Sequence, residues 1–198
     1  MKTLILFFII VAASCSVSKN PLRKQFKLIQ KGIIKDDTSF VYALPFESNK
    51  AHFLVQGYFG RFSHKERAAL DFKMKRGTNI LAARDGIVAR YKEDSKKGGW
   101  SRKYARDGNH VVIQHDDNTR TGYWHLQYNG VLVNIGDTVK RGQVIARSSN
   151  TGYAAFPHLH FIIWKINDMG QWQQVLSRFQ TSKGIKYLRP WKWYRSAN

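Results

Sequence analysis

Two histidines one residue apart, His158 and His160, sit in the apolar run AAFPHLHFIIW that extends from Ala154 to Trp164. In an extended strand, residues i and i+2 point to the same face. His158 and His160 therefore share a face with Ile162 and Trp164, while Leu159, Phe161 and Ile163 form the opposite, core-facing side. Two imidazoles side by side cost free energy unless partners satisfy them. A metal ion is one such partner, and a hydrolytic zinc site needs three protein ligands plus an open fourth position. His160 is a candidate ligand, and the segment SHKERAALDF adds His64 and Asp71. Two imidazoles and one carboxylate leave room for a water whose pKa the metal lowers. His158, and His125 in YWHLQ, are then outer-sphere or acid/base groups. The chain has seven histidines. A hydrogen-bonded structural role is the ordinary alternative, and it suits His52, His110 and His115 best and the His158/His160 pair least.

The elements that must position these groups read as strands. From Phe40 onward, short apolar runs such as FVYALPF, AHFLVQGYF, NILAARDGIVARY, HVVIQHDD, TGYWHLQ, GVLVNIGD, QVIARSS and HLHFIIWKI alternate with turn signals. The separators are Gly, Asn, Asp and Ser, with Gly77, Gly86, Gly136, Gly142 and Gly152 at expected turns. KEDSKKGGWSRKYARDGN reads as a long charged loop. No sustained helical period is expected, with one turn at most in HKERAAL. The fold class is mainly β: an antiparallel sheet or open, barrel-like groove from Phe40 to about Trp193. Residues 19–39 read as a basic linker or extension, 40–194 as the domain and 195–198 as a tail. The closing segment IKYLRPWKWYRSAN suits glycan or membrane contact through Trp191, Trp193 and Tyr194. The simpler expectation is a closing strand whose aromatics cap the barrel.

The segments HKERAALDF, GTNILAARDGIVA, GNHVVIQHDDNTRTGYWHLQ and VNIGDTVKRGQVIARSSNTGYAAFPHLHF resemble, in order and spacing, the zinc metallopeptidases of family M23. These are the lysostaphin-like and LytM-like peptidoglycan endopeptidases. The resemblance runs from about Tyr42 to Ile166. It implies a β-sheet groove of the lysostaphin type (a duplicated hybrid motif) with a zinc ion at its floor, held by His64, Asp71 and His160. It also implies that His125 and His158 flank the attacking water and stabilise the tetrahedral intermediate. One departure concerns the first histidine. The common pattern places it four residues before the aspartate, where this chain has Arg67, whereas His64 stands seven before Asp71.

The formal net charge of +20 favours anionic partners such as peptidoglycan and other wall polymers. No nucleic-acid-binding motif accompanies the charge. The opening MKTLILFFIIVAASCSVSKN has the form of a secretory signal peptide over residues 1–18, with Cys15 in an imperfect lipobox. The expected setting is export to the periplasm or cell envelope, either after ordinary cleavage near Cys15 or with membrane anchoring through a lipid on Cys15 itself; a regulatory protein of unknown identity is a further candidate partner. Two rival readings follow. VNIGDTVKRGQVIA also resembles the half-barrel of lipoyl and biotinyl carriers, which lack an HLH pair. An inactive M23-like scaffold or activator would bind the wall without cutting it, and such members have usually lost metal ligands.

Overall fold

The computed structural model describes residues 19–34 and 40–197. The expected signal peptide, residues 1–18, and the lipobox expectation at Cys15 lie outside the described residues. The largest element is a nine-stranded antiparallel sheet. Its path runs Thr138–Val139, Gly86–Lys92, His110–Gln114, Thr119–Trp124, His158–Ile166, Ala69–Lys73, Ala51–Gln56 and Lys192–Arg195, with Trp172–Gln174 paired beside His158–Ile166. A three-stranded sheet of Asn79–Leu81, Val144–Ser148 and Leu126–Val131 shares its core.

Alternation along the central strands separates core from site. Phe161 stands opposite Tyr123 on one neighbour and Leu70 on the other, and Leu159 stands opposite Phe72. All five are fully buried in one cluster with Val111, Ile113, Ile80 and Ile145. One residue out of phase, His160 stands opposite Asp71 on one side and Trp124 on the other. The expected two-residue period therefore holds, with one face burying hydrocarbon and the other carrying imidazole and carboxylate.

Three expectations are corrected. The segment read as a basic linker contains a helix, Leu22–Gln30. The Asn20 side chain accepts the Leu22 N–H at 3.0 Å, and Gly32, at φ +74°, closes the far end. Phe26 and Ile29 bury against Phe59, Ala68 and Leu176, and Phe26 meets the Phe59 ring edge-on at 5.2 Å. The helix thus braces the chain on both sides of His64. Phe26→Ala is expected to destabilise the protein by about 3 kcal/mol, read as a lower denaturant midpoint at unchanged slope. Second, the long charged loop holds a 3-10 turn, Arg102–Asp107, and a two-residue strand, Gly98–Gly99, parallel to Gly152–Tyr153. Third, the closing strand Lys192–Arg195 exists at the sheet edge, but Trp191 and Trp193 lie against Phe53 rather than closing over the core. They are 64% and 69% exposed, and Tyr194 alone does the packing.

Candidate metal centre

Asp71 and His160 meet because their strands pair in register. His64 arrives from a loop. After Gln56 the chain leaves the sheet, and a turn closed by the Arg67 N–H on the His64 carbonyl returns it toward Ala69. This route delivers His64 across the longer spacing to Asp71. Its Nε2 lies 3.1 Å from Asp71 Oδ2 and 3.1 Å from His160 Nδ1, while His160 Nδ1 lies 2.8 Å from Asp71 Oδ1. All three residues are buried.

The partners fix which nitrogen is free. A backbone carbonyl only accepts, so His64 donates Nδ1–H to Gly57 O at 3.2 Å and turns the Nε2 lone pair inward. Lone pairs from two imidazoles and a carboxylate then face one another within about a hydrogen-bond length, an arrangement that calls for a cation or a proton between them. Burial disfavours the charged form of Asp71, but His64, His158 and His160 around it outweigh that and hold its carboxyl well below the usual range. Burial lowers His160 to about 4 against the opposing pull of Asp71, so it is a neutral donor near pH 7.

His158 and His125 stand beside this triangle. His158 donates Nδ1–H to Phe156 O at 2.8 Å, and its Nε2 sits 3.7 Å from Asp71 Oδ1. His125 occupies the link between Thr119–Trp124 and Leu126–Val131 with φ +66°. It donates Nδ1–H to Thr151 O at 2.6 Å. Gly152, at φ +80°, lets this segment pack against Gly108, since a Cβ there would lie 2.6 Å from Gly108 Cα. The His125 and His158 rings are 4.5 Å apart. Burial, then the neighbouring His158 and His160, keep His125 well below its ordinary pKa. Both side chains therefore present an Nε2 lone pair when neutral.

These groups lie in a groove of about 770 Å³. Trp124 forms part of its wall, edge-on to His160 at 6.2 Å and stacked on His110 at 5.0 Å. Gly122 makes that wall fit, because a Cβ there would come 2.1 Å from the Trp124 ring and 2.7 Å from the Trp164 ring. His52 and His115 take the structural role expected of them, hydrogen-bonded to Lys73 O and to Asp85 O with Thr121 Oγ1. His110 is held by Gly108 O.

The sequence model of peptidase family M23 matches residues 65–174, more than half of the chain. The chain belongs to peptidase family M23. The match begins one residue after His64, so it takes in Asp71, His125, His158 and His160, and the geometry supplies His64. Over 91 residues this M23 chain is 40% identical to the peptidoglycan DD-endopeptidase ShyA of Vibrio cholerae, and over 93 residues 39% identical to lysostaphin of Staphylococcus simulans. Each alignment covers 46% of this chain but only 18% and 17% of those proteins. The M23 metalloprotease pseudoalterin, from the deep sea, matches the fold with a TM-score of 0.52 over 81% of this chain and 96% of its own, at 17% identity.

Within this M23 site, sequence reasoning missed Gln56. A bulge between Leu54 and Gln56 makes Gln56, rather than Val55, the partner of Asp71. Its Nε2 donates to Asp71 Oδ2 at 3.0 Å and to Ser63 Oγ at 2.9 Å, and its Oε1 accepts the N–H groups of Phe62 and Ser63. One buried amide therefore orients the carboxylate and pins the loop next to His64. Gln56→Leu is expected to weaken metal binding about 10–100-fold, measured by competition with a chromogenic chelator, with unchanged far-UV circular dichroism.

Proposed function

We propose that this protein is a zinc-dependent endopeptidase that hydrolyses peptide bonds of bacterial peptidoglycan, in the stem peptide or the cross-bridge, after export to the cell envelope. The observation that carries this reading is the buried triangle of His64, Asp71 and His160, with edges of 2.8 to 3.1 Å. Tetrahedral zinc with ligands at about 2.0–2.1 Å has ligand-to-ligand edges of about 3.3 Å, so small side-chain shifts fit the three donors around the ion. These residues would hold it and leave a fourth position. Zinc bound there supplies a Lewis acid that polarises a peptide carbonyl and acidifies water.

The chain's own residues handle the protons. His125 and His158 each offer an Nε2 lone pair, because a carbonyl holds each Nδ1–H. With rings 4.5 Å apart, the two acceptors lie close enough to serve the same water. The pair accepts the proton of the attacking water and returns it to the leaving nitrogen. Donation to the developing oxyanion, the role implied for His125 by the family resemblance, becomes available once its Nε2 carries that proton. The relatives' names, peptidoglycan DD-endopeptidase and lysostaphin, support the substrate class. The +20 charge suits a polymer rich in carboxylates.

The test is digestion of purified sacculi with and without a chelator, with released fragments identified by mass. Metal-dependent release of peptide-cleaved fragments is expected. Sacculi left intact by protein that holds one zinc per chain would overturn the hydrolase and leave a wall-binding scaffold.

A further inference from the structure

We propose that Phe53, Trp191 and Trp193 form a sugar-stacking subsite that holds the glycan strand of the wall polymer beside the metal centre. The identity of the polymer rests on the endopeptidase reading. The subsite rests on exposure, continuity and chemistry.

Trp191 is 64% exposed and Trp193 69%, whereas Tyr194 is 8% exposed. The Tyr194 hydroxyl accepts the Arg189 N–H at 2.7 Å and donates to the Arg189 carbonyl at 3.1 Å. Tyr194 thus anchors the closing strand, and the two indoles are surplus to that packing. They are not scattered. Trp193 pairs with Phe53 across the edge strands with centroids 5.6 Å apart, and Trp191 lies 6.1 Å from the same ring. Three adjoining rings at the edge of the sheet form an apolar patch of the kind that marks an interaction site.

The patch belongs to the groove side of the sheet. Phe53 stands opposite Lys73, and Lys73 stands opposite His158. Phe53 therefore shares a face with His158 and, two residues on, with His160. Trp191 itself lines the groove that holds Asp71 and His160. A strand-like polymer threading the groove meets Trp191 and then the Phe53–Trp193 pair, whereas a flat bilayer does not follow Trp191 inward.

The chemistry favours an amino-sugar chain. Aromatic faces are flat and apolar, with a polar N–H at the indole edge. A pyranose matches them with a C–H face and a rim of hydroxyl and acetamido groups. Exposed Lys73, opposite Phe53 on the same face, flanks the rings and can reach acetamido or carboxylate oxygens.

The test titrates the zinc-loaded full chain with a hexamer of β-1,4-linked N-acetylglucosamine and reads tryptophan fluorescence and calorimetric affinity. Saturable binding is expected. Trp191→Ala/Trp193→Ala should bind at least about tenfold more weakly, as the loss of two ring contacts requires. Trp193→Phe, which keeps a ring, should stay within about threefold of wild type. If the double variant does not fold by circular dichroism, Trp193→Ala alone should still lose at least about threefold. Equal affinity in the alanine variants, no saturable binding by wild type, or a wild-type response to anionic phospholipid vesicles but not to the hexamer would each overturn the subsite. Digestion of purified sacculi by the zinc-loaded wild-type protein is scored in parallel. Sacculi left intact, with the hexamer still bound through the tryptophans, sink the hydrolase and spare the sugar site.

Discussion

Asp71→Asn is expected to abolish zinc retention and to lower peptide cleavage by more than about a thousandfold, the loss of a ligand exceeding the roughly 10–100-fold cost of losing an outer partner. The substitution preserves shape and removes charge. In the native site Oδ2 accepts from Gln56 Nε2, and Oδ1 faces His160 Nδ1. An asparagine must place its NH2 on one of these sides. Turned toward His160, at the Oδ1 position, it donates into the space a cation would fill and satisfies that lone pair with hydrogen. Turned toward Gln56, it sets two donors against each other at about 3 Å. The first orientation gives a closed, metal-free site that has also shed a buried charge. Because the neighbouring histidines hold the native carboxyl well below its usual range, its charge is stabilised by folding, and the metal-free variant should be no more stable than metal-free wild type near pH 7. Added zinc should raise the melting temperature of wild type, by linkage of about 2.7 kcal/mol at a hundredfold excess over Kd, and leave the variant unmoved. Metal content after gel filtration decides the matter, and a variant that keeps one zinc per chain would remove Asp71 from the ligand set.

Much of this site was legible because strands impose a strict alternation. The spacing of His158 and His160 placed both on one face and put Leu159, Phe161 and Ile163 in the core, as the structure has them. The ligand chemistry of SHKERAALDF and the family resemblance both nominated His64 and Asp71, at separations from His160 that local pattern cannot judge; strand pairing brings Asp71 to His160, and a loop brings His64. Gln56 was not legible, since only a one-residue bulge turns it onto the face of Asp71. Trp124 was hidden in the same way. Its role depends on Gly122, two residues earlier, leaving space for its ring. The helix Leu22–Gln30 carried its start and stop in Asn20, Pro21 and Gly32, but its apolar stripe is short and interrupted by cations. What stabilises that stripe is Phe59, Ala68 and Leu176, far along the chain. The closing segment was legible as a strand, yet whether Trp191 and Trp193 meet core or solvent is fixed by that strand's place at the sheet edge.

His125→Asn separates proton handling from metal binding. The position needs a residue that tolerates φ +66°, and asparagine does so at low cost whereas alanine is strained there. The shorter side chain cannot both reach Thr151 O and present an acceptor where His125 Nε2 stands. His64, Asp71 and His160 keep their mutual contacts, none of which runs through His125. Zinc content should accordingly match wild type, while kcat falls by about 10²–10⁴, the range for losing a positioned acid/base group. KM should change little, because the contribution is made as the proton moves rather than when substrate binds. His158→Asn should act on the same step. If His125 and His158 work as one proton-holding pair, the double variant should lose scarcely more than the worse single one, since the first substitution already breaks the relay. Full additivity would mean two independent roles, and a His125→Asn enzyme with wild-type kcat would remove His125 from the chemistry and leave it a support for the Thr151 loop.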